Sequence, residues 1–266
     1  MSAMIEVRDL VRRFGDHVAV DRISFRVEAG EVFGLLGPNG AGKTTTIRIL
    51  TTLLEPTSGT VRVGGYDVVR DGAQVRRLLG YVGQTLSADP TLTGYENLLI
   101  TAKLLGLPGR ERARRIGELL HLLRLEEAAG EPVRNYSGGM VRRLEVGQAI
   151  LHRPRLLVLD EPTVGLDPTG RHAVWSALEE LRRDSGMTIL VTTHYMEEAE
   201  QYAGRIAIMN HGRIARIGTA AELKASIGRP EASLEEVFTE VTGDTLESGG
   251  SYRELRQLER RVRRFH

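Results

Sequence analysis

The sequence predicts an α/β fold with a mostly parallel sheet, and two observations carry this prediction. Nearly continuous apolar runs lie at Val32–Leu36, 156–159 and 188–192, and such runs are typical of strands buried on both faces of a parallel sheet. Helical patterns follow two of these runs, at 44–54 and 171–183. This alternation of strands and helices is the pattern of an α/β sheet.

The chain around the first buried run predicts an antiparallel β subdomain at the N-terminal end. Residues 5–7 and 23–27 alternate apolar and polar side chains, as half-exposed strands do. Farther along, 60–63 and 67–69 flank Gly64-Gly65, and a glycine pair between two short strands favours a hairpin.

The middle of the chain predicts an inserted helical subdomain at about residues 88–150. The pattern is helical over 93–125, with a break at 106–109, and a further helix is expected at 142–152. Residues 206–209 and 214–218 then predict a last pair of strands. We therefore assign residues 1–240 to one domain and residues 241–266 to a C-terminal linker and helix.

The composition excludes several classes of function. The 266 residues are 41% hydrophobic, which suffices for the core of one large domain. The net charge of +1 gives no overall attraction to nucleic acid or anionic lipid. The absence of cysteine excludes disulfides, thiol catalysis and thiolate metal sites. No apolar run approaches the roughly 20 residues of a membrane span, and residues 1–11 lack the apolar stretch of a signal peptide.

A glycine-rich loop follows the first buried strand and predicts a phosphate-binding site. Its pattern is G-x-x-x-x-G-K-[ST], in the sequence Gly37-Pro38-Asn39-Gly40-Ala41-Gly42-Lys43-Thr44. Backbone N–H groups of such a loop converge on phosphates, and the following helix directs its positive end at the same anion. We expect Lys43 to reach the β- and γ-phosphates, the Thr44 hydroxyl to bind Mg²⁺, and the adjacent Thr45 to contact the nucleotide.

Two carboxylates end the second buried strand and predict the hydrolytic centre. Asp160 and Glu161 follow Leu156-Leu157-Val158-Leu159, at the strand end where ligands bind in open α/β sheets. We expect Asp160 to hold Mg²⁺ through water and Glu161 to act as general base. Alone, such a pair is also a common strand-to-loop edge, but the phosphate loop favours the catalytic interpretation. The two motifs together predict a P-loop NTPase core, and the absence of Asn-Lys-x-Asp argues against a GTPase.

A second glycine-rich turn, Ser137-Gly138-Gly139, opens a helix. Serine is a good N-cap, and small residues leave backbone N–H groups accessible to an anion. The turn alone fits a simple cap as well as a phosphate site, but its place between the phosphate loop and the acidic strand favours the phosphate site.

With these motifs in place, the chain resembles the ATP-binding cassette family over residues 4–240. Six elements occur in the family's order: the phosphate loop, Gln84 in Tyr81-Val82-Gly83-Gln84, the signature Tyr136-Ser137-Gly138-Gly139-Met140, the acidic strand, Gly165-Leu166-Asp167, and His194 in Thr192-Thr193-His194.

The resemblance implies a role for each matching residue. Phe14 would stack on adenine, although a core phenylalanine is the alternative. Gln84 would contact Mg²⁺ or the attacking water, and His194 would hold the γ-phosphate and Glu161 in place. Asp167 would shape a dimer interface.

The resemblance also implies partners. Two cassettes of the family pack head to tail, so each ATP would lie between one copy's phosphate loop and the other copy's Ser137, Gly138 and Gly139. With one cassette in this chain, we expect a second copy as partner. A separate membrane permease subunit is the second expected partner, and this chain would sit peripherally at the cytoplasmic face of the membrane.

Departures from the common family pattern indicate a branch. Tyr136 and Met140 stand where the signature usually has Leu and Gln, and Gly83 stands where Pro usually precedes the glutamine. These variants, together with 194–199 and 233–238, resemble the daunorubicin-resistance type of drug exporter. The expected cargo is therefore hydrophobic, drug-like or lipid-like.

Two other functions stay open from the sequence. A soluble cassette protein acting on nucleic acid or ribosomes usually carries two cassettes or a long coiled coil, and no basic face is evident in the first 240 residues. An importer ATPase of the sugar type usually carries a large C-terminal regulatory domain, whereas few residues follow Val241. We expect no nucleic-acid partner.

The C-terminal segment predicts a linker at 243–250 and an amphipathic basic helix at 251–266. Its apolar stripe has helical spacing and consists of Tyr252, Leu255, Leu258, Val262 and Phe265. Arginines surround the stripe. The helix fits a surface element docked on its own domain, or one that contacts anionic lipid or the membrane subunit.

Overall fold

A computed structural model of the chain describes residues 3–244; the predicted C-terminal helix lies outside this range. An antiparallel sheet comes first, with strand order β2-β1-β4-β5. Its strands are β1 (Ala3–Phe14), β2 (His17–Glu28), β4 (Ser58–Val63) and β5 (Tyr66–Asp67). The predicted N-terminal antiparallel sheet is therefore confirmed, although β1 and β2 are longer than their alternating patterns indicated.

The second sheet has six strands in the order β10-β9-β3-β8-β7-β6. They are β3 (Val32–Leu36), β6 (Leu79–Val82), β7 (Leu156–Asp160), β8 (Thr188–Thr193), β9 (Arg205–Asn210) and β10 (Arg213–Gly218). All neighbours pair in parallel except β9 and β10. The mostly parallel α/β sheet is confirmed, and its carboxyl ends meet at one edge.

Nine α-helices of the described range surround the sheets. They are α1 (Lys43–Leu50), α2 (Gly72–Leu78), α3 (Gly94–Leu104), α4 (Gly109–Leu122), α5 (Gly138–Ile150), α6 (Pro168–Ser185), α7 (Met196–Tyr202), α8 (Ala220–Ala225) and α9 (Leu234–Thr242). Helices α3, α4 and α5 lie between β6 and β7, in the segment where a helical insertion is predicted. None of the helices between residues 3 and 244 is long and apolar enough to cross a membrane.

The central strands are buried on both faces, which explains their uninterrupted apolar sequences. In β7, Leu156 and Val158 pack toward the antiparallel sheet and α1, whereas Leu157 and Leu159 pack among the inserted helices and α6. Successive residues of a strand point to opposite faces, so one strand contributes to two cores. Because β7 packs against both cores, the positions of Asp160 and Glu161 at its carboxyl end are fixed.

Candidate active site

The phosphate loop, residues 37–44, connects the carboxyl end of β3 to α1. Gly37 and Gly42 leave no room for a side chain, because an added Cβ would lie 2.1 Å from the Met209 carbonyl oxygen and 2.5 Å from the Ala19 carbonyl oxygen, respectively. Gly42 also has a φ of 100°, in the left-handed region that favours glycine. The loop therefore forms the tight concave turn that backbone anion sites require.

Lys43 lies buried inside this turn. Its Nζ donates to the carbonyl oxygens of Gly37 at 2.7 Å and Pro38 at 3.1 Å, and it forms an ion pair with Glu161 Oε1 at 3.2 Å. Burial lowers the pKa of Lys43, and the charge of Glu161 opposes this only in part. A phosphate in the loop would stabilise the charged form, so the site fits a nucleotide anion.

Asp160 and Thr44 face each other across the mouth of the loop. Asp160 Oδ1 accepts hydrogen bonds from Thr192 Oγ1 at 2.6 Å and Thr44 Oγ1 at 3.3 Å. Its Oδ2 is buried and has no hydrogen-bond partner among the described residues. Burial raises the pKa of Asp160, although both hydroxyls oppose the rise. A cation beside Oδ2 would therefore stabilise the ionised Asp160 carboxylate.

The oxygens around Asp160 fit Mg²⁺, which prefers oxygen ligands and commonly completes its shell with water and substrate phosphates. Gln84 reaches the same place, with Nε2 3.4 Å from Thr44 Oγ1. Residues 3–244 contain no cluster of three or more His, Asp or Glu side chains that could hold a metal alone. A magnesium ion at Thr44 and Asp160 would therefore depend on ligands from the nucleotide.

Glu161 lies beside Asp160, buried and in contact with the side chains of Lys43 and His194. His194 places Nδ1 3.4 Å from Glu161 Oε1, and Lys43 approaches the same oxygen. Burial raises the pKa of Glu161, but the His194 and Lys43 contacts outweigh burial and hold the pKa below its ordinary value. Glu161 is thus ionised at neutral pH, as a general base must be.

A cleft of about 390 Å³ collects most of the predicted nucleotide-site residues. Its lining comprises Phe14, His17, Ala19, Pro38, Asn39, Gly40, Ala41, Gly42, Lys43, Thr44, Thr45, Gln84 and Glu161. Phe14 is 46% exposed at the end of β1, with the Arg12 guanidinium 4.5 Å from its ring centroid. It is therefore no core residue, and its ring is available to a planar base.

The signature turn occupies a different surface. Ser137 caps α5, where its Oγ accepts from the Met140 N–H at 3.3 Å, and Asp167 caps α6 through the Gly170 N–H at 2.8 Å. Ser137 and Gly138 are exposed, while a Cβ on Gly139 would lie 3.1 Å from Gly170 Cα. Of the residues described, those that line the phosphate-loop cleft include none of the signature turn and not Asp167.

The sequence interpretation missed Arg142 and Glu145, which are buried in α5 and form an ion pair at 3.0 Å. Arg142 also donates to the carbonyl oxygen of Pro162, just after Asp160 and Glu161, at 2.8 Å. Charged residues on a helix usually face solvent, so the residue types did not indicate that Arg142 and Glu145 are buried. The available signal was their i, i+3 spacing on a helix whose other residues are mostly apolar.

The sequence profile of the ABC transporter family matches residues 20–164 of this chain. The chain belongs to the ABC transporter family. Like the family, this cassette binds and hydrolyses ATP. It is 47% identical over 224 residues to the daunorubicin/doxorubicin resistance ATP-binding protein DrrA of Streptomyces peucetius. The match covers 84% of this chain and 68% of that protein. The predicted resemblance to the drug-export branch is confirmed.

Two further comparisons bear on this cassette. The Nod factor export ATP-binding protein I of Cupriavidus metallidurans (strain ATCC 43123 / DSM 2839 / NBRC 102507 / CH34) is 43% identical over 251 residues, covering 93% of this chain and 79% of that protein. The dimeric structure of the ATP-binding cassette MJ0796 in a post-hydrolysis state, bound to ADP and Pi, matches with a TM-score of 0.71 at 26% identity. That match covers 81% of this chain and 98% of MJ0796.

Proposed function

We propose that this cassette is the ATPase subunit of an exporter and that it dimerises head to tail around two MgATP. Closure of the dimer on ATP and reopening after hydrolysis would drive a separate membrane subunit. Glu161 is the general base in this proposal, His194 orients it and the terminal phosphate, and Asp160, Thr44 and Gln84 hold Mg²⁺ and its water. The chain would act from the cytoplasmic face of the membrane as a peripheral subunit.

The observation that carries the dimer is the separation of two phosphate-binding turns within one chain. Lys43 and the carboxylates of Asp160 and Glu161 lie at the phosphate loop. Ser137 and Gly138 are exposed, and neither lines the cleft that contains this loop. A bare, exposed helix start stabilises an anion by only about 0.3–1 kcal/mol, so a second copy that supplies the missing half explains both surfaces. The dimeric MJ0796 structure supports this arrangement.

Exposed apolar side chains support contact with a membrane subunit. Leu86 follows Gln84, and Tyr95, Ile100, Leu104 and Leu105 lie on or just after α3; all five are exposed, Leu104 by 84%. Surface hydrophobics scattered singly need no explanation, but a group on one segment marks an interaction site. Leu86 lies two residues after Gln84, so a partner that contacts Leu86 would respond to the state of the nucleotide site.

The cargo is assigned as hydrophobic and drug-like or lipid-like, and this assignment rests on the relatives. Their names connect DrrA with daunorubicin and doxorubicin resistance and the Cupriavidus protein with Nod factor export. Cassettes of similar identity to this one thus serve different cargoes. The membrane subunit would therefore select the molecule, and the cassette would supply the motor.

The Glu161→Gln variant tests the proposal. It keeps the shape of the side chain but removes the base, so we expect ATP binding to persist while hydrolysis falls by at least roughly 10²-fold. Size-exclusion chromatography with MgATP should show an accumulated dimer. Glu197→Gln, at an exposed glutamate of α7, is the matched control and should behave as wild type. Undiminished turnover in Glu161→Gln would remove Glu161 from this role.

A further inference from the structure

The backbone at Glu161 is strained. Its φ is 51°, a left-handed conformation that non-glycine residues keep only when surrounding contacts enforce it. On one side, the Glu161 N–H donates to Thr192 Oγ1 at 3.0 Å. On the other side, the Arg142 guanidinium donates to the Pro162 carbonyl oxygen at 2.8 Å and reaches the Glu161 carbonyl oxygen at 3.4 Å.

The same guanidinium also holds the segment that carries Gln84. Arg142 Nη1 donates to the Gly83 carbonyl oxygen at 2.7 Å and to Glu145 Oε2 at 3.0 Å. The other oxygen of Glu145 accepts from the Ser87 N–H and from Ser87 Oγ at 3.2 Å. Gly83 and Ser87 lie on either side of Gln84, so Arg142 and Glu145 bind this segment at two points.

Both side chains are buried, with Arg142 5% and Glu145 2% exposed. The planar fork of arginine can bind several acceptors at once in a fixed geometry, which a lysine ammonium cannot reproduce. The pair therefore links three parts of the chain rigidly: the Gln84 segment, the signature helix α5 and the peptide after Glu161.

We propose that Arg142 and Glu145 are positioning residues for ATP hydrolysis, forming a clasp that fixes the Glu161 carboxylate relative to Gln84. Any displacement of the Gln84 segment moves the guanidinium and, through it, the strained Glu161 peptide. The clasp thereby makes the activity of the base depend on the position of the Gln84 segment, which also carries the exposed Leu86. The inference rests on the proposed role of Glu161 as general base.

Arg142→Gln is the principal test, in the full chain. The variant keeps a polar side chain but cannot bind all the acceptors, so the Glu161 peptide relaxes. Misplacement of a catalytic group by about 1 Å can cost roughly 10²-fold in rate, and we expect a fall of that size in kcat. KM for ATP should stay unchanged, because the phosphate loop is untouched. A melting curve records the accompanying loss of stability.

Arg115→Gln is the matched control. Arg115 is also a largely buried arginine, pairs with Glu111 at 3.0 Å, and donates to the Leu151 carbonyl oxygen at the opposite end of α5. Its replacement should lower Tm as Arg142→Gln does, yet leave kcat near that of the wild type. The comparison separates positioning of the base from simple stabilisation of α5.

Two conservative variants keep the test decisive if Arg142→Gln does not fold. Arg142→Lys retains the charge but reaches fewer acceptors and should restore part of kcat, whereas Glu145→Gln retains the acceptor for Ser87 and should lower kcat by a smaller factor than Arg142→Gln. Wild-type kcat in all folded clasp variants, with only Tm reduced, would overturn the clasp. So would a raised KM with unchanged kcat. Loss of turnover in Glu161→Gln beside active clasp variants would leave the proposed function intact and remove only the clasp.

Discussion

The acidic strand end and the signature turn are both predicted to act on bound ATP, yet their surroundings in the fold differ. Asp160 and Glu161 leave a strand buried on both faces and meet Lys43, Thr44 and His194 within hydrogen-bonding or ion-pair distance. Ser137 instead lies at an exposed helix start, where its Oγ accepts a hydrogen bond from the nearby Met140 N–H.

In the proposed head-to-tail dimer, the first region is complete within one chain, whereas the second would be completed by the other copy. The acidic strand end has charge, acceptors and donors arranged around one cleft, whereas the signature turn offers bare donors at the surface. Substitutions in the first region should therefore act on a single chain. Those in the second should act only when two chains associate.

The largest effect is expected from Lys43→Ala. It removes the ammonium from the concave turn, so ATP affinity should fall strongly and hydrolysis should be lost. The fold should be retained, because burial lowers the pKa of Lys43 and its charged form is therefore costly to the folded chain. Calorimetry of ATP binding measures the change. Lys103→Ala, at an exposed lysine of α3, is the control. Unchanged ATP affinity in Lys43→Ala would refute the phosphate-loop assignment.

Ser137→Arg probes the other region. A long cationic side chain at the exposed turn should obstruct a second copy, so ATP should still bind the single chain with near wild-type affinity. Hydrolysis and the ATP-dependent dimer should be lost. Binding by calorimetry and dimerisation by light scattering, measured on one preparation, give the contrast with Lys43→Ala.

Ser137→Ala is the milder companion variant, since it loses the N-cap and costs about 1 kcal/mol of stability without adding bulk. If Ser137→Arg weakened ATP binding as much as Lys43→Ala does, the two regions would belong to one site in one chain. The head-to-tail arrangement would then be wrong.

Asp160→Asn should separate stability from binding at the acidic strand end. Burial raises the pKa of Asp160, which means that the ionised carboxylate destabilises the fold. The neutral isostere should therefore raise Tm by about 2–4 °C for each kcal/mol recovered, while MgATP should no longer raise it further. Differential scanning calorimetry with and without MgATP measures both effects.

The pH dependence of that gain has a defined sign. The cost of the ionised carboxylate appears as pH rises above the ordinary value of 3.8 and is complete above the raised pKa of the folded state. Asp160→Asn should therefore be stabilising at neutral pH and lose its advantage in acid below 3.8. A Tm advantage that grew toward acid would contradict the assigned shift.

Strands β3 and β1 show what sequence alone could predict about the fold. Val32–Leu36 was predicted with its observed bounds because burial on both faces leaves an uninterrupted apolar run. Strand β1 was predicted far too short, since Val7 and Leu10 are both buried although three residues apart. A register shift between them restores the pairing with β2, and a bulge of this kind breaks the period-two pattern.

The site was predictable where a motif fixes local chemistry. The phosphate loop, Gln84, Asp160, Glu161 and His194 meet at one edge because the carboxyl ends of parallel strands meet there. Arg142 and Glu145 could not be placed from the sequence, because most of their partners lie far along the chain. Arg142 donates to the backbone carbonyls of Gly83 and Pro162, and Glu145 accepts from Ser87. Every residue carries a backbone carbonyl, so the sequence does not indicate which carbonyl accepts a side-chain hydrogen bond.

The smallest effect on the cassette is expected from removal of the C-terminal segment, a prediction from sequence for residues outside those described. Truncation after Gly250 removes the apolar stripe of Tyr252, Leu255, Leu258, Val262 and Phe265 and the arginines around it. ATP binding should be unchanged, because the cleft lies within residues 14–161. Attachment to anionic membranes should weaken, since each basic residue near such a surface contributes about 1 kcal/mol.

Flotation with vesicles measures this attachment, with anionic and neutral lipid compared at low and high salt. Full-length chain should float with anionic vesicles at low salt, and salt should release it because the attraction is screened. A matched variant with Arg256, Arg260 and Arg263 changed to Gln keeps the apolar stripe and should float less. Equal flotation of the full-length and truncated chains would exclude the lipid contact. A truncated chain that also melts several degrees lower would instead identify a helix docked on its own domain, in which case the segment stabilises the cassette.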